Sequence, residues 1–171
     1  MTNQKVFNWL GNDSGGTPYY LHLLNLVWSP EGVEHDLAVY QRVASQLGQD
    51  SHYWKQIIRE HNWRFSLVGS VAVILEQPED MLDDLLYRFE NGSWVSPQLA
   101  VAAGLVYPSD TIDRMLDLLS KRKVKRNPKA CGAIFSVLSR IGASIDQPKK
   151  VDPEADHIVK QHWDFWKKHL K

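Results

Sequence analysis

An internal repeat of about 30 residues constrains the fold of this chain more than any other feature of its sequence. Residues 78–89 align with residues 108–119 at an offset of 30, and the segments that follow align Pro97 with Pro128 at an offset of 31. In the first part of each unit the apolar positions coincide: Leu82, Leu85, Leu86 and Phe89 fall on Ile112, Met115, Leu116 and Leu119. Each unit therefore reads as an amphipathic segment followed by a segment of small and apolar residues, which predicts a pair of helices.

The second segment of one unit lies within residues 93–109, SWVSPQLAVAAGLVYPS, which contain no charged residue. In a stack of helix pairs, helices of one layer are covered by neighbours on most sides and have no solvent face for charge. Leu99 to Val106 is predicted to be such a helix, with Ser96 as its N-cap and Pro97 as its first residue. Trp94 is expected to pack where the chain enters this helix.

Helical periodicity recurs along the whole chain, and no segment shows the alternation typical of a strand. Spacings of three and four predict eight or nine helices, which are separated by short breaks rich in Gly, Pro, Asn or Ser. Such short connections favour antiparallel neighbours. The predicted fold class is all-α, with stacked antiparallel helix pairs in a single domain over residues 1–171. Residues 159–170, with Trp163 and Trp166 on one stripe, are predicted to form a C-terminal capping helix.

This organisation resembles the HEAT and armadillo class of α-helical repeat proteins over roughly residues 50–143. The resemblance rests on PEDMLDDLL, on PSDTIDRMLDLL and on the second segments rich in small residues. Arg64 stands where HEAT units often carry an arginine, whereas Val95 and Lys129 stand there in the next two units. The resemblance implies a HEAT-like α-solenoid that serves as a binding scaffold. A compact α–α bundle without a true superhelix is the alternative.

Composition narrows the class of protein. The chain has 171 residues, 43% of them hydrophobic and 23% charged, which is ordinary for a globular domain. A single cysteine, Cys131, excludes an internal disulfide and fits a reducing compartment. The sequence shows no signal peptide and no apolar run long enough to span a bilayer. We therefore expect a cytoplasmic protein that does not associate with a membrane.

Charge is unevenly placed, and two charged clusters are the candidate partner-binding residues. Residues 1–85 hold 5 basic and 11 acidic residues, while residues 86–171 hold 15 and 9. The basic segment is KRKVKRNPK, residues 121–129, and its candidates are Lys121, Arg122, Lys123, Lys125 and Arg126. The acidic candidates are Asp80, Asp83 and Asp84. Helix-dipole stabilisation is the structural explanation of each cluster, together with a solvated helix face for the acidic one. No aromatic residue interleaves with the basic segment, which argues against base stacking.

No pattern in the sequence predicts catalysis, a cofactor or a metal site. NDSGG, residues 12–16, is similar to the nucleophile segment of trypsin-like serine proteases, but that family is all-β whereas this chain reads as helical. The seven histidines include no HExxH motif. The predicted function is therefore non-enzymatic protein binding, as an immunity-type or adaptor protein that masks or docks a partner protein. The alternative is nucleic-acid binding through residues 121–129.

Overall fold

A computed structural model of the chain describes residues 10–146 and 151–170. Within these ranges the fold is all-helical, as predicted, and the only β pairing is an isolated bridge between Asn12 and Pro18. The described part contains eleven helices: α1 (Tyr19–Asn25), α2 (Pro30–His35), α3 (Leu37–Gly48), α4 (Ser51–Arg59), α5 (Trp63–Glu76), α6 (Leu82–Asn91), α7 (Ser96–Val106), α8 (Pro108–Ser120), α9 (Arg122–Lys125), α10 (Pro128–Arg140) and α11 (Pro153–His169).

The longer helices of the repeat region pack in two adjoining rows. One row consists of α4, α6 and α8, in which each helix contacts the next. The other consists of α5, α7 and α10, again with successive contacts, and each of these helices also touches its partner in the first row. We call these the outer and inner rows, because the inner row is covered on its other side by α3 and α11.

The helix α7 occupies the centre of this arrangement and explains the uncharged segment. It contacts α5, α6, α8, α10 and α11, and Ser96 to Gly104 are all buried. A helix that is enclosed on all sides has no solvent face for charged residues. Gly104 permits the close approach of α11, because a Cβ at this position would lie 2.9 Å from Trp163 Cζ3.

The amphipathic helices of the outer row bury their apolar stripes against the inner row. In α6 the buried residues include Leu85, Leu86 and Phe89, and in α8 they include Met115 and Leu118. Leu86 and Leu116 occupy equivalent positions of the repeat but differ in burial. Leu86 is buried, whereas Leu116 is 40% exposed. The two helices thus share a register along the chain but are rotated differently against the core.

The predicted N-cap of α7 was wrong by one residue. The α7 N-cap is Val95, whereas Ser96 is the first helical residue and its Oγ donates to the Ser93 carbonyl at 2.7 Å. Trp94 contacts the Trp63 ring at the helix entry, but its side chain is 65% exposed. The helix α1 ends at Asn25, and Trp28 in the connection that follows is 69% exposed.

The C-terminal helix is present and buries Trp163 and Trp166, as its spacing predicted. It lies across both α7 and α10, and so covers the inner row over two helices. Lys168 Nζ lies 3.1 Å from Glu34 Oε1 of α2, which links the end of the chain to its N-terminal part. None of the described helices has the length and the apolar character that crossing a bilayer requires.

Candidate functional site

The predicted acidic candidates lie on the outer row, where each is paired with a cation from a neighbouring helix. Asp80 Oδ2 lies 2.6 Å from Lys55 Nζ, and Asp84 Oδ1 lies 2.5 Å from Arg59 Nε. Asp83 pairs with Arg114. Lys55 and Arg59 belong to α4 and Arg114 belongs to α8, so these ion pairs join α4, α6 and α8. The acidic cluster is therefore paired within the fold and bridges the three helices of the outer row.

A surface groove of about 690 Å³ lies between α4 and the acidic cluster. Its lining mixes both signs of charge: His52, Lys55, Gln56, Arg59, Glu60, His61, Asp80, Asp83 and Asp84. Asp84 is 3% exposed, and burial raises the pKa of its carboxyl despite the hydrogen bond from Arg59. Both cations of the lining are already paired with carboxylates of the groove, Lys55 with Asp80 and Arg59 with Asp84.

The basic segment has a different environment, because most of its charges have no ion-pair partner in the described part of the chain. Lys121 Nζ pairs with Glu90 Oε1 of α6 at 2.5 Å and with Asp117 Oδ2 at 3.2 Å. Four further candidates are exposed and form no ion pair with a described residue: Arg122, Lys123, Lys125 and Arg126. Among them Val124 is fully buried, so the short helix α9 is anchored by one apolar side chain and presents its cations to solvent.

A row of aromatic rings crosses the ends of the inner helices nearby. The Trp63 ring centre lies 5.9 Å from that of Trp94 and 6.0 Å from that of Tyr20. Cations lie over these rings: Arg64 Cζ is 4.6 Å from the Trp63 ring centre, and Lys129 Nζ is 5.3 Å from that of Trp94. We call these five residues the tryptophan row. Such contacts hold the rings and the cations together at the surface.

Two contacts place the basic segment beside the tryptophan row. At one end of the segment Lys121 is bound to Glu90, which lies near the end of α6. At the other end Lys129 lies over Trp94, in the connection between α6 and α7. The basic segment is therefore fixed at both of its ends, by one contact to α6 and one to the connection that follows α6. We call the tryptophan row together with Arg122, Lys123, Lys125 and Arg126 the aromatic–basic edge.

A buried arginine, Arg88, contacts the connection between α6 and α7 from the core side. Arg88 is 3% exposed and its Nη2 donates to the Gly92 carbonyl at 2.7 Å. Its Nε and Nη1 have no hydrogen-bond partner among the described residues, and burial lowers the pKa of its guanidinium. Arg88 thus shapes the loop that carries Trp94 and places a further basic group below it.

Sequence reasoning identified the basic segment but missed the aromatic half of this edge. The rings come from the N-terminal ends of α5 and α7 and from α1, so all three are distant in sequence from the basic segment at residues 121–129. A signal was present, since Trp63 and Trp94 occupy equivalent positions of the repeat at an offset of 31. Both tryptophans precede or begin the second helix of their unit and lie outside its apolar stripe. An aromatic residue that recurs at this position indicates the ends of the inner-row helices.

The NDSGG segment forms a turn that is tied to a histidine. Asp13 Oδ1 accepts hydrogen bonds from the amides of Gly15 and Thr17, while its Oδ2 lies 3.1 Å from His22 Nε2. The other ring nitrogen of His22 lies 2.7 Å from Asp36 Oδ2, which is nearly buried. His22 thus bridges two carboxylates, and its Nε2 faces Asp13 instead of the neighbouring Ser14. This arrangement fastens the turn to α1 and to the start of α3.

The described residues contain no group of three or more His, Cys, Asp or Glu side chains arranged to hold a metal ion. Cys131 is buried, its Sγ donates to the Val124 carbonyl at 3.1 Å, and burial raises the pKa of its thiol. This thiol therefore acts as a small packing group that links α10 to α9.

The fold and the edge together define an all-helical protein whose inner and outer helix rows display an exposed row of aromatic rings and cations. Comparisons with models of protein families, with curated proteins and with solved structures gave no significant match.

Proposed function

We propose that this chain is a non-enzymatic protein-binding module of the helical-repeat type, and that it contacts its partner through the aromatic–basic edge. The observation that carries the proposal is Trp94, a large aromatic side chain that is 65% exposed and has the ammonium of Lys129 over its ring. Tryptophan, tyrosine and arginine are the residue types that dominate binding energy in protein interfaces. All three occur together at this edge.

The organisation of the edge also supports binding. Trp94 and Lys129 belong to successive units of the predicted repeat, so the edge extends across several helix ends rather than around one pocket. Helical-repeat proteins bind partners on extended surfaces of this kind. In this proposal the chain masks its partner, as an immunity-type protein does, or docks it, as an adaptor does. The same proposal places the protein in the cytoplasm.

The proposal is tested by two matched variants. Trp94→Ala removes the central ring of the edge, while Trp28→Ala removes a ring of similar exposure from the connection after α1. Proteins captured from the native cells by the wild-type chain are purified and recombined with each variant. We expect a stoichiometric complex that Trp94→Ala weakens at least about a hundredfold, as is typical of a tryptophan hot spot, and that Trp28→Ala leaves intact. Equal affinity for wild type and Trp94→Ala would refute this assignment of the surface.

Nucleic-acid binding through residues 121–129 is a second candidate, and one observation favours it. Lys129 places the basic segment next to an exposed indole, which supplies in space the aromatic group that the sequence lacks locally. Basic residues beside aromatic rings are typical of single-strand binding sites. Binding of a labelled oligothymidylate, measured at several salt concentrations, tests this candidate. Contact with phosphates requires an affinity that falls steeply with salt and that the Gln variants of Arg122, Lys123, Lys125 and Arg126 reduce.

A further inference from the structure

We infer that the segment bound at the aromatic–basic edge is an acidic stretch of a protein, with several carboxylates and one apolar side chain. The carboxylates would pair with Arg122, Lys123, Lys125 and Arg126, and the apolar side chain would pack on Trp94. This inference rests on the proposed protein-binding function and specifies the chemistry of the partner.

The first argument is the contrast in charge pairing between α9 and the outer row. On the outer row Lys55, Arg59 and Arg114 each have a carboxylate partner from a neighbouring helix. In α9 and the residue after it, four consecutive cations of the segment lack such a partner among the described residues. A compact group of cations repels itself, so a ligand that supplies carboxylates gains free energy there.

The second argument is the anchoring of these cations. The segment is bound at Lys121 by Glu90 and at Lys129 by the Trp94 ring, and Val124 is buried between them. Its backbone is therefore held before a partner arrives, which reduces the entropy lost on binding. Arg88 adds a basic group under the same loop, and two of its nitrogens lack a described partner.

The third argument concerns Trp94. A ligand that supplied only anionic groups would leave the indole of Trp94 exposed to water. A side chain of this size gains most from an apolar contact that removes its surface from solvent. The carboxylates of the ligand would then surround a central apolar residue. This is the usual anatomy of an interface, in which a buried aromatic anchor is enclosed by a polar rim.

An acidic protein segment fits this edge better than a nucleic acid does. Arg64 lies over the Trp63 ring and within 5.4 Å of the Tyr20 ring centre, so a cation already occupies faces of two of the three rings on which bases would stack. The chain as a whole has a formal net charge of zero, whereas a nucleic-acid-binding domain is usually strongly basic.

The test uses a fluorescein-labelled peptide that is rich in Glu around one central Phe, and a second peptide in which Ser replaces the Phe. Binding to the full chain is measured by anisotropy at low and at moderate salt. The edge variant is Arg122→Gln with Lys125→Gln. The control variant is Lys160→Gln with Lys167→Gln, which removes the same charge from exposed positions of α11.

We expect the Phe peptide to bind the wild type and the control equally, and to bind the edge variant about tenfold or more weakly, which corresponds to about 1.4 kcal/mol. The Ser peptide and the Trp94→Ala variant should each weaken binding by a similar factor. Equal loss in the edge and control variants, or no binding at low salt, would overturn the inference. So would tighter binding of an oligothymidylate of the same charge.

The outcome separates this inference from the proposed function. Suppose that Trp94→Ala abolishes binding of a natural protein partner, but that the acidic peptide does not displace this partner. Protein binding at the edge would then stand, and the inference of an acidic segment would be rejected. Failure of both experiments would reject the binding surface itself.

Discussion

Lys129 Nζ lies 5.3 Å from the centre of the Trp94 ring, and this contact joins two helices of the inner row at their exposed ends. The contact places a positive charge beside an indole that is 65% exposed. An anionic quencher should therefore reach Trp94 more readily than its exposure alone requires, because the ammonium raises the local concentration of anions.

Lys129→Gln tests this relationship through tryptophan fluorescence. We expect the iodide quenching constant of Trp94, obtained as the difference between each protein and its Trp94→Phe variant, to fall when Lys129 is replaced. Quenching by neutral acrylamide should change little, and the free energy of unfolding should change by less than about 1 kcal/mol, as for an exposed cation–π pair. Lys160→Gln is the matched control. If the two lysine variants lower iodide quenching equally, the local contact is not its cause.

Arg59 is predicted to stabilise the chain by neutralising Asp84. Burial raises the pKa of the Asp84 carboxyl, so its ionised form costs free energy in the folded chain, and the hydrogen bond from Arg59 offsets part of that cost. A carboxyl whose pKa is higher in the folded than in the unfolded chain stabilises the fold at pH values below its unfolded pKa. This stabilisation is lost as the pH rises through the folded pKa. Removing Arg59 should raise the pKa of Asp84 further and enlarge this loss at neutral pH.

We expect Arg59→Gln to lower the free energy of unfolding by about 1–3 kcal/mol at pH 7, measured in urea, because it leaves a buried charge without its partner. The loss should shrink in acid, where Asp84 is protonated, and Asp84→Asn should recover part of it in the double variant. Lys55→Gln is the comparison, since Asp80 is 67% exposed and such a pair contributes less than about 1 kcal/mol. A pH-independent loss for Arg59→Gln would contradict this account.

The helices of the repeat region were predictable because their sequence periodicity coincides with burial. The stripe of α6 and the uncharged α7 both follow from which faces meet other helices. The short helices α2 and α9 were missed, since four to six residues hold too few apolar positions to show a period. In α9 only Val124 is buried, so its sequence reads as a charged loop.

The candidate site was predictable only in part, for a similar physical reason. Charge runs are visible in sequence, so residues 121–129 and the acidic cluster were identified. Pairing is decided by neighbouring helices, which is why the sequence did not show that Asp84 has a cationic partner while Arg122 has no ion-pair partner among the described residues. The contact between Trp94 and Lys129 depends on how α7 and α10 adjoin, and a local pattern contains no information on that distance.

Gly104 should tolerate no larger side chain while α7 and α11 keep their present separation. A Cβ at this position would lie 2.9 Å from Trp163 Cζ3 and would also meet Val137 Cγ1. We expect Gly104→Ala to lower the free energy of unfolding by about 1–3 kcal/mol, the usual cost of overpacking a core. Gly48→Ala is the control, because its Cβ would meet only Glu76 Oε2 at 3.7 Å.

A second substitution tests whether the contact with Val137 causes the destabilisation expected for Gly104→Ala. Val137→Ala removes the methyl groups that the new Cβ would meet, so Gly104→Ala should cost less in the Val137→Ala background than in the wild type. Chemical denaturation of the four proteins gives this coupling energy. Strictly additive effects would show that the clash with Val137 does not limit the packing of α7.

His162 should make the chain less stable in mild acid. It is 1% exposed between α7 and α11, its Nε2 lies 3.4 Å from Gln98 Nε2, and burial lowers its pKa to about 3. The folded chain therefore keeps the imidazole neutral, whereas the unfolded chain protonates it below about pH 6.5. The stability from this group is complete above the unfolded pKa and decreases as pH falls from about 6.5 towards 3, by about 1.4 kcal/mol per pH unit.

The measurement is urea unfolding of wild type and His162→Gln at pH 7 and pH 5. Glutamine does not titrate, so the variant lacks this loss, and the stability advantage of the wild type should shrink by about 2 kcal/mol between the two pH values. His157→Gln, at an exposed position of the same helix, controls for general effects of removing a histidine and should show no such change. A difference between wild type and His162→Gln that stays constant with pH would mean that His162 can take up a proton in the folded chain, and that the interior between α7 and α11 admits water.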